Sequence, residues 1–137
     1  MSSIRCAKRA TRFNKEKAMK DTVRIALDWA IRCFGREHVE NLPIRALRVA
    51  EEAAELAQAA GVPKETMLDL VEIVYARSKG DAVQEIGGVL MTINVLCASI
   101  SLDPDEVFLA ELRRVLRKTP EHFAARNKEK IDLGLIA

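Results

Sequence analysis

The chain has 137 residues, of which 49% are hydrophobic and 31% charged, and its formal net charge is +2. This length and composition favour one compact globular domain and leave little room for a second. Aromatic residues make up only 4% of the chain, and no apolar-polar alternation between hairpin turns occurs, so we expect an all-α fold and not a sheet.

Basic residues are concentrated at the N-terminus, where residues 1–20 carry seven Lys and Arg side chains against one acid, Glu16. A basic, acid-poor arm could contact nucleic acid or direct the chain to an organelle. We interpret residues 1–16 instead as a partly ordered basic tail, and residues 17–137 as the folded domain. On this interpretation nucleic acid is not an expected partner.

The first two predicted helices are bounded by glycine and proline. Apolar residues at helical spacing predict a helix over 17–33 that ends before Gly35. A second helix is predicted over 43–60, with Pro43 in its first turn and Gly61 after its end. This second helix contains the most informative side chains of the sequence.

Glu51, Glu52 and Glu55 fall within an arc of roughly 100° on the second predicted helix. Arg48 precedes Glu51 by three residues and Glu52 by four, as expected for an ordinary solvated charged face. Glu55 has no basic residue three or four positions away. Its charge must be met by water or by something outside the helix, and the sequence therefore predicts a cation site here.

Helices are also predicted from Pro63 to Tyr75, from Asp81 to about Ile100, from Asp103 and from Thr119. Asp81 with Gln84 three residues later, and Asp103 directly before Pro104, have the pattern of N-terminal caps.

Glu85, near the start of the fourth predicted helix, borders its apolar stripe, as Glu52 does on the second. A carboxylate at the margin of a core is costly unless it is paired or bound to a metal. We therefore expect the two helices to bring their acids together across one cleft.

Cys6, Cys33 and Cys97 show neither close pairing nor Cys-x-x-Cys spacing, so neither a disulfide framework nor a zinc site is indicated. A reducing cytoplasm is the expected location. We also expect no apolar stretch to reach the roughly 18 residues needed to span a bilayer, and hence no membrane partner.

The string Glu51-Glu52-x-x-Glu55, followed by Glu85 at the head of Glu85-Ile-Gly-Gly88, resembles the two motifs of the MazG-like all-α nucleoside triphosphate pyrophosphohydrolases. Their signature is Glu-Glu-x-x-Glu on one helix and Glu-x-x-Asp on a later one. The superfamily also includes dimeric dUTPases and phosphoribosyl-ATP pyrophosphohydrolases, and the resemblance extends over residues 25–130. Gly88 stands where the family has the aspartate of its second motif.

The resemblance implies an antiparallel bundle of about five helices that forms a homodimer or homotetramer. It implies hydrolysis of the α–β phosphoanhydride bond of a nucleoside triphosphate, with Mg²⁺ or Mn²⁺ as cofactor. The implied metal ligands are Glu51, Glu52, Glu55 and Glu85. Glu52 is also the candidate general base, because it borders the apolar stripe. The candidate phosphate contacts are Arg48, Lys118, Arg126 and Lys128.

Two alternatives remain open from the sequence. Because Gly88 removes one expected ligand, the chain could be a weakened homologue that binds nucleotide or metal without turnover. It could also be a helical interaction or nucleic-acid-binding module that uses the basic N-terminal arm.

Overall fold

The computed structural model describes residues 21–136, and within this range the regular structure is entirely α-helical. The first helix, α1, occupies residues 21–34 of the described chain. The helices that follow it are α2 (Arg36–Glu40), α3 (Leu42–Ala59), α4 (Lys64–Tyr75), α5 (Ala82–Ser99), α6 (Pro104–Leu116) and α7 (Pro120–Asp132). The all-α prediction is confirmed. The predicted basic tail, and the first four residues of the first predicted helix, lie outside the described residues.

Local signals account for where the early helices begin and end. Gly35 and Gly61 follow α1 and α3 with φ angles of +81° and +84°, a left-handed conformation that glycine adopts without steric cost. At the start of α3, the Ile44 amide donates to the Asn41 side chain at 3.1 Å, and Pro43 lies in the first turn. The predicted bounds of 43–60 are thus correct to one residue.

Aspartate caps start the later helices in the same way. The Gln84 amide donates to Asp81 at 3.0 Å, and the Asp105 amide donates to Asp103 at 2.8 Å. Both predicted N-caps are confirmed. The five-residue helix α2 was not predicted. It contains no buried residue, so its sequence lacks the periodic apolar side chains from which a helix is predicted.

The described chain divides into two compact units. The first unit consists of the described residues up to Val39 together with those from Leu102 onward, and the second unit is Glu40–Ser101. Every predicted carboxylate ligand belongs to the second unit, because α3 and α5 both lie there.

The first unit has a small aromatic and aliphatic core. Cys33, Leu112, Val115 and Phe123 are buried together. Trp29 packs against this cluster, with its ring 5.0 Å from that of Phe123 in an edge-to-face arrangement, a geometry that aromatic pairs favour. Trp29 is therefore a partly buried residue at the edge of the core of the first unit.

The second unit buries very little of its apolar surface. Its buried residues are Ile44 and Cys97, and every residue from 68 to 96 is exposed. Large apolar side chains on α4 and α5 therefore face solvent in a single chain.

Helix α5 also corrects one prediction from the sequence. Ala82–Ser99 is 18 residues long with a mean hydropathy of 1.4, so the described chain does contain a segment long and apolar enough to cross a bilayer. A single such helix is weak support for a membrane span, because core helices of soluble proteins share its length and composition.

Candidate carboxylate site

Helix α3 places Arg48 one turn before two of the predicted ligands. Arg48 Nη1 donates to Glu51 Oε2, and Arg48 Nη2 donates to Glu52 Oε1 at 3.2 Å. These are the i,i+3 and i,i+4 spacings at which helical side chains meet. One guanidinium therefore holds two of the four predicted carboxylates.

Glu55 differs from its two neighbours. Within residues 21–136, its exposed carboxylate makes no ion pair and no hydrogen bond. Arg48 pairs with Glu51 and Glu52 and not with Glu55. A carboxylate of this kind beside Glu51 and Glu52 remains open to an external cation.

Glu85 occupies the first turn of α5 and is exposed. Its carboxylate lies against Gly80, in the loop before the helix, so closely that a Cβ atom at Gly80 would clash with Glu85 Oε1. The missing side chain of Gly80 thus leaves the room that the Glu85 carboxylate occupies. Nothing in the sequence singled out Gly80, because its contact with Glu85 depends on how that side chain folds back over the loop.

The four carboxylates do not converge in one chain. Among the described residues, no group of three or more His, Cys, Asp or Glu side chains lies close enough to hold a metal ion. Their oxygens are the donor type that Mg²⁺ prefers, but their arrangement in one chain does not form a site. Arg48 draws Glu51 and Glu52 toward itself, and Glu85 turns toward Gly80. The expected meeting of the acids across one cleft is therefore not found in the single chain.

The environment of Glu52 also differs from the one expected. Its side chain is 66% exposed and paired with Arg48. The apolar margin of α3 therefore does not desolvate Glu52 in a single chain, and desolvation was the reason for choosing it as the general base.

Gly88, in the middle of α5, has open space around it. A Cβ atom at Gly88 would meet nothing within 4 Å. The backbone oxygen of Gly88 accepts a hydrogen bond from the Thr92 hydroxyl at 2.8 Å. An aspartate side chain could therefore be placed at this position without displacing a neighbour in the same chain.

Three of the four candidate phosphate contacts belong to the first unit. Lys118 Nζ lies 3.5 Å from His122 Nε2, and Lys128 Nζ pairs with Asp132 at 2.7 Å. Arg126 and Lys128 are two residues apart on α7, so they lie roughly 160° apart around the helix. The two side chains therefore do not face one phosphate together.

Sequence reasoning missed Arg45, which lies one turn before Arg48 on α3 and is half-buried. Burial of its guanidinium, with a smaller contribution from the Arg48 charge, lowers the pKa of Arg45 below its ordinary value. The i,i+3 spacing of the two arginines is the sequence signal that could have identified it. Two cations therefore precede the three glutamates on this helix.

No family model matches the chain, no curated protein matches it, and no solved structure matches it. Any assignment of function therefore depends on the two carboxylate motifs and on their surroundings in the structure.

Proposed function

We propose that the chain is a metal-dependent nucleoside triphosphate pyrophosphohydrolase that hydrolyses the α–β phosphoanhydride bond to give a nucleoside monophosphate and pyrophosphate. The observation that carries the proposal is Glu55, an exposed carboxylate without a partner among the described residues, beside Glu51 and Glu52 on α3. The resemblance of this string and of Glu85 to the MazG-like motifs supplies the reaction.

Glu51, Glu52, Glu55 and Glu85 are the proposed ligands for Mg²⁺ or Mn²⁺. When bound, a divalent ion neutralises charge on a triphosphate and lowers the pKa of an attacking water.

Arg48 is the proposed phosphate contact nearest to these acids, since its guanidinium lies 3.2 Å from Glu52 and can pair with phosphate oxygens as well as with carboxylates. An Arg48 side chain that moves from the carboxylates to a phosphate no longer pairs with Glu51 and Glu52.

Glu52 is the proposed general base. With Arg48 engaged by the substrate, its carboxylate can accept a proton from the water that attacks a phosphorus atom of the α–β bridge. The new oxygen–phosphorus bond forms as the bridging bond breaks, and the leaving group takes the electron pair of that bond. The leaving group is pyrophosphate when water attacks the α-phosphorus and the nucleoside monophosphate when water attacks the β-phosphorus.

The proposed active form is a homodimer or homotetramer. A single chain leaves the apolar residues of α4 and α5 exposed, which supports assembly because soluble monomers rarely expose large contiguous apolar patches.

Binding without turnover is the second candidate function, and Gly88 favours it. This position has no carboxylate and no neighbour within 4 Å of a Cβ atom, so nothing in the same chain occupies the place of the missing aspartate. Such a protein would bind metal and nucleotide and release no product.

Product analysis tests the proposal. Phosphorus NMR of a reaction containing the protein, a nucleoside triphosphate and Mg²⁺ is expected to show pyrophosphate and the monophosphate in equal amounts, with no product when EDTA is present. A diphosphate with inorganic phosphate would mean that a different bond is cleaved, and bound but intact substrate would favour the second candidate.

A further inference from the structure

Charge is distributed unequally along the chain. The second unit, Glu40–Ser101, contains five basic and nine acidic side chains, whereas the rest of the sequence contains 17 basic and 11 acidic ones. Seven of these 17 belong to residues 1–20, outside the described residues, and the other ten belong to the first unit. A chain with this asymmetry is suited to a negatively charged partner that its basic part attracts.

The C-terminal end of α6 carries the densest basic cluster of the first unit. Six consecutive residues there contain four cations and no acid, and all four cations are exposed. They are Arg113, Arg114, Arg117 and Lys118. The partial negative charge at the C-terminus of a helix lowers the cost of holding like charges together at this place.

Arg113 and Arg117 lie on the side of α6 that faces away from the core. The buried residues of α6 are Leu112 and Val115. At 100° per residue, Arg113 and Arg117 lie roughly 100–160° away from these two around the helix. Both guanidinium groups are therefore presented to solvent.

These two arginines also lack an acid to pair with. Arg114 pairs with Glu111 at 2.6 Å, but among residues 21–136 the side chains of Arg113 and Arg117 make no ion pair and no hydrogen bond. Like charges four residues apart destabilise a helix. An anion from outside the chain would relieve this repulsion.

Helix α7 continues the basic surface. Lys118 Nζ lies 3.5 Å from His122 Nε2, so the end of α6 meets the first turn of α7 at this point. Arg126 follows His122 by one turn on the same side of α7; it is exposed and has no ion-pair partner in the described part of the chain. The four cations without an acidic partner are here called the α6–α7 basic face: Arg113, Arg117, Lys118 and Arg126.

The chemistry of this face suits the phosphate backbone of a nucleic acid. Three of its four cations are arginines, whose planar guanidinium groups pair with two phosphate oxygens at once. Every Trp and Phe of the first unit that the structure describes lies in or against the core, so none can stack on bases. Single strands are bound largely by such stacking, whereas a duplex offers one negative charge per about 1.7 Å. A duplex is therefore the better partner.

A lipid surface suits the face less well. Helices that lie on anionic membranes insert an apolar side into the bilayer beside their basic side. In α6 and α7 the corresponding apolar residues, Leu112, Val115 and Phe123, are buried in the core of the first unit. The α6–α7 basic face therefore offers charge alone.

We propose that the α6–α7 basic face binds the phosphate backbone of double-stranded nucleic acid without sequence preference. This binding is separate from the proposed hydrolysis and needs no metal ion. The alternative drawn from the sequence placed nucleic acid on the N-terminal arm, and the α6–α7 basic face is a further place of contact. The seven cations of residues 1–20 would strengthen the same electrostatic attraction.

Fluorescence anisotropy tests the proposal with the full chain and a labelled DNA duplex of mixed sequence, in EDTA, at about 50–200 mM NaCl. Arg113→Gln/Arg117→Gln is the test variant. Arg77→Gln/Lys79→Gln is the matched control, because it removes two exposed cations from the second unit and changes the net charge equally.

Each phosphate contact contributes about −0.9 to the slope of log affinity against log salt concentration. The test variant should therefore lose about 1.8 from the magnitude of this slope and roughly tenfold in affinity at the lowest salt, while the control keeps both values. Arg113→Lys/Arg117→Lys, which keeps the charges, should keep the natural slope.

Three results would overturn the proposal. The natural chain binds no duplex at the lowest salt, even where it binds anionic lipid vesicles. The glutamine variant keeps the natural slope, which would place the contact elsewhere, for example on residues 1–20. The lysine variant loses as much of the slope as the glutamine variant, which would show that charge is not the cause.

Chemical protection of the natural chain covers the case in which a variant does not fold. Phenylglyoxal modifies accessible arginines, and mass spectrometry identifies the modified positions. The duplex should protect Arg113 and Arg117 and leave Arg77 reactive. Unprotected Arg113 and Arg117 in a chain that binds the duplex would reject this face as the contact.

Discussion

Arg48 Nη2 lies 3.2 Å from Glu52 Oε1, while Nη1 of the same guanidinium donates to Glu51. A cation supplied by the helix itself thus neutralises two of the four proposed metal ligands. Metal binding at these carboxylates must compete with Arg48, whereas Glu55 has no such competitor among the described residues.

Arg48→Gln is expected to increase the affinity for Mn²⁺ and to raise the KM for nucleotide. The substitution removes the Arg48 charge that competes with the metal at Glu51 and Glu52, and it removes a proposed phosphate contact. It also removes two helical ion pairs, which costs about 0.2–0.5 kcal/mol for each pair. Calorimetry, steady-state kinetics and urea unfolding measure the three effects.

Arg114→Gln is the control for this substitution, because Arg114 pairs with Glu111 at 2.6 Å with the same i,i+3 separation in the first unit. It should lower stability by about the cost of one such pair and leave Mn²⁺ affinity unaltered. If Arg48→Gln also leaves Mn²⁺ affinity unaltered, Arg48 does not compete with the metal.

Glu52→Gln is expected to lower kcat by about 10²-fold or more, since a positioned general base contributes an effect of that size. Glu72→Gln, on α4 in the same unit, serves as the control and should keep kcat. An unchanged kcat in Glu52→Gln would assign the base elsewhere.

Structural features that depend only on residues close together in the chain could be predicted from the sequence. The caps at Asp81 and Asp103, and the glycine that follows α3, are all local, and each was predicted correctly. Likewise, the pairing of Arg48 with Glu51 and Glu52 follows from spacing on one helix.

Contacts between separate segments were not predictable in this way. A helical wheel shows which side of α5 carries Glu85, but not that its carboxylate would turn toward Gly80. The exposure of Glu52 depends on which other elements pack near it, and in one chain 66% of its side chain is exposed. A helical wheel therefore could not show that the acids do not converge in the single chain.

Gly88→Asp is expected to increase Mn²⁺ affinity, because it restores a carboxylate one turn after Glu85. The open space around Gly88 means that the new side chain displaces no neighbour in the same chain. Gly88→Asn is the isosteric control without charge and should bind Mn²⁺ as the natural chain does. Calorimetry showing no gain for the aspartate would mean that position 88 does not face the site.

We expect the buried Cys33 thiol to make the stability of the first unit decrease at alkaline pH. Burial raises the pKa of the Cys33 thiol above its ordinary value of 9.0; the positive charge of Arg32 opposes this shift and the negative charge of Glu121 adds to it. The thiol pKa is higher in the folded state than in the unfolded state. Its contribution to the free energy of unfolding is therefore fully present below the unfolded-state pKa, and it is lost as pH rises through the folded-state pKa.

Melting temperatures of the natural chain and of Cys33→Ala, measured from neutral pH to about pH 11, test this linkage. The natural chain should lose stability more steeply above its unfolded-state thiol pKa than the variant does. Parallel curves for the two proteins would contradict the assignment. Cys97→Ala provides a comparison in the second unit.

Pyrophosphate release tests the central claim most directly. The natural chain, Glu55→Gln and the Glu72→Gln control should be assayed against canonical and modified nucleoside triphosphates with Mg²⁺ or Mn²⁺, after circular dichroism has shown equal folding. We predict turnover of at least one nucleotide by the natural chain and by Glu72→Gln, and none by Glu55→Gln. Turnover that persists in Glu55→Gln, or a folded natural chain that releases no pyrophosphate from any nucleotide, would contradict the account.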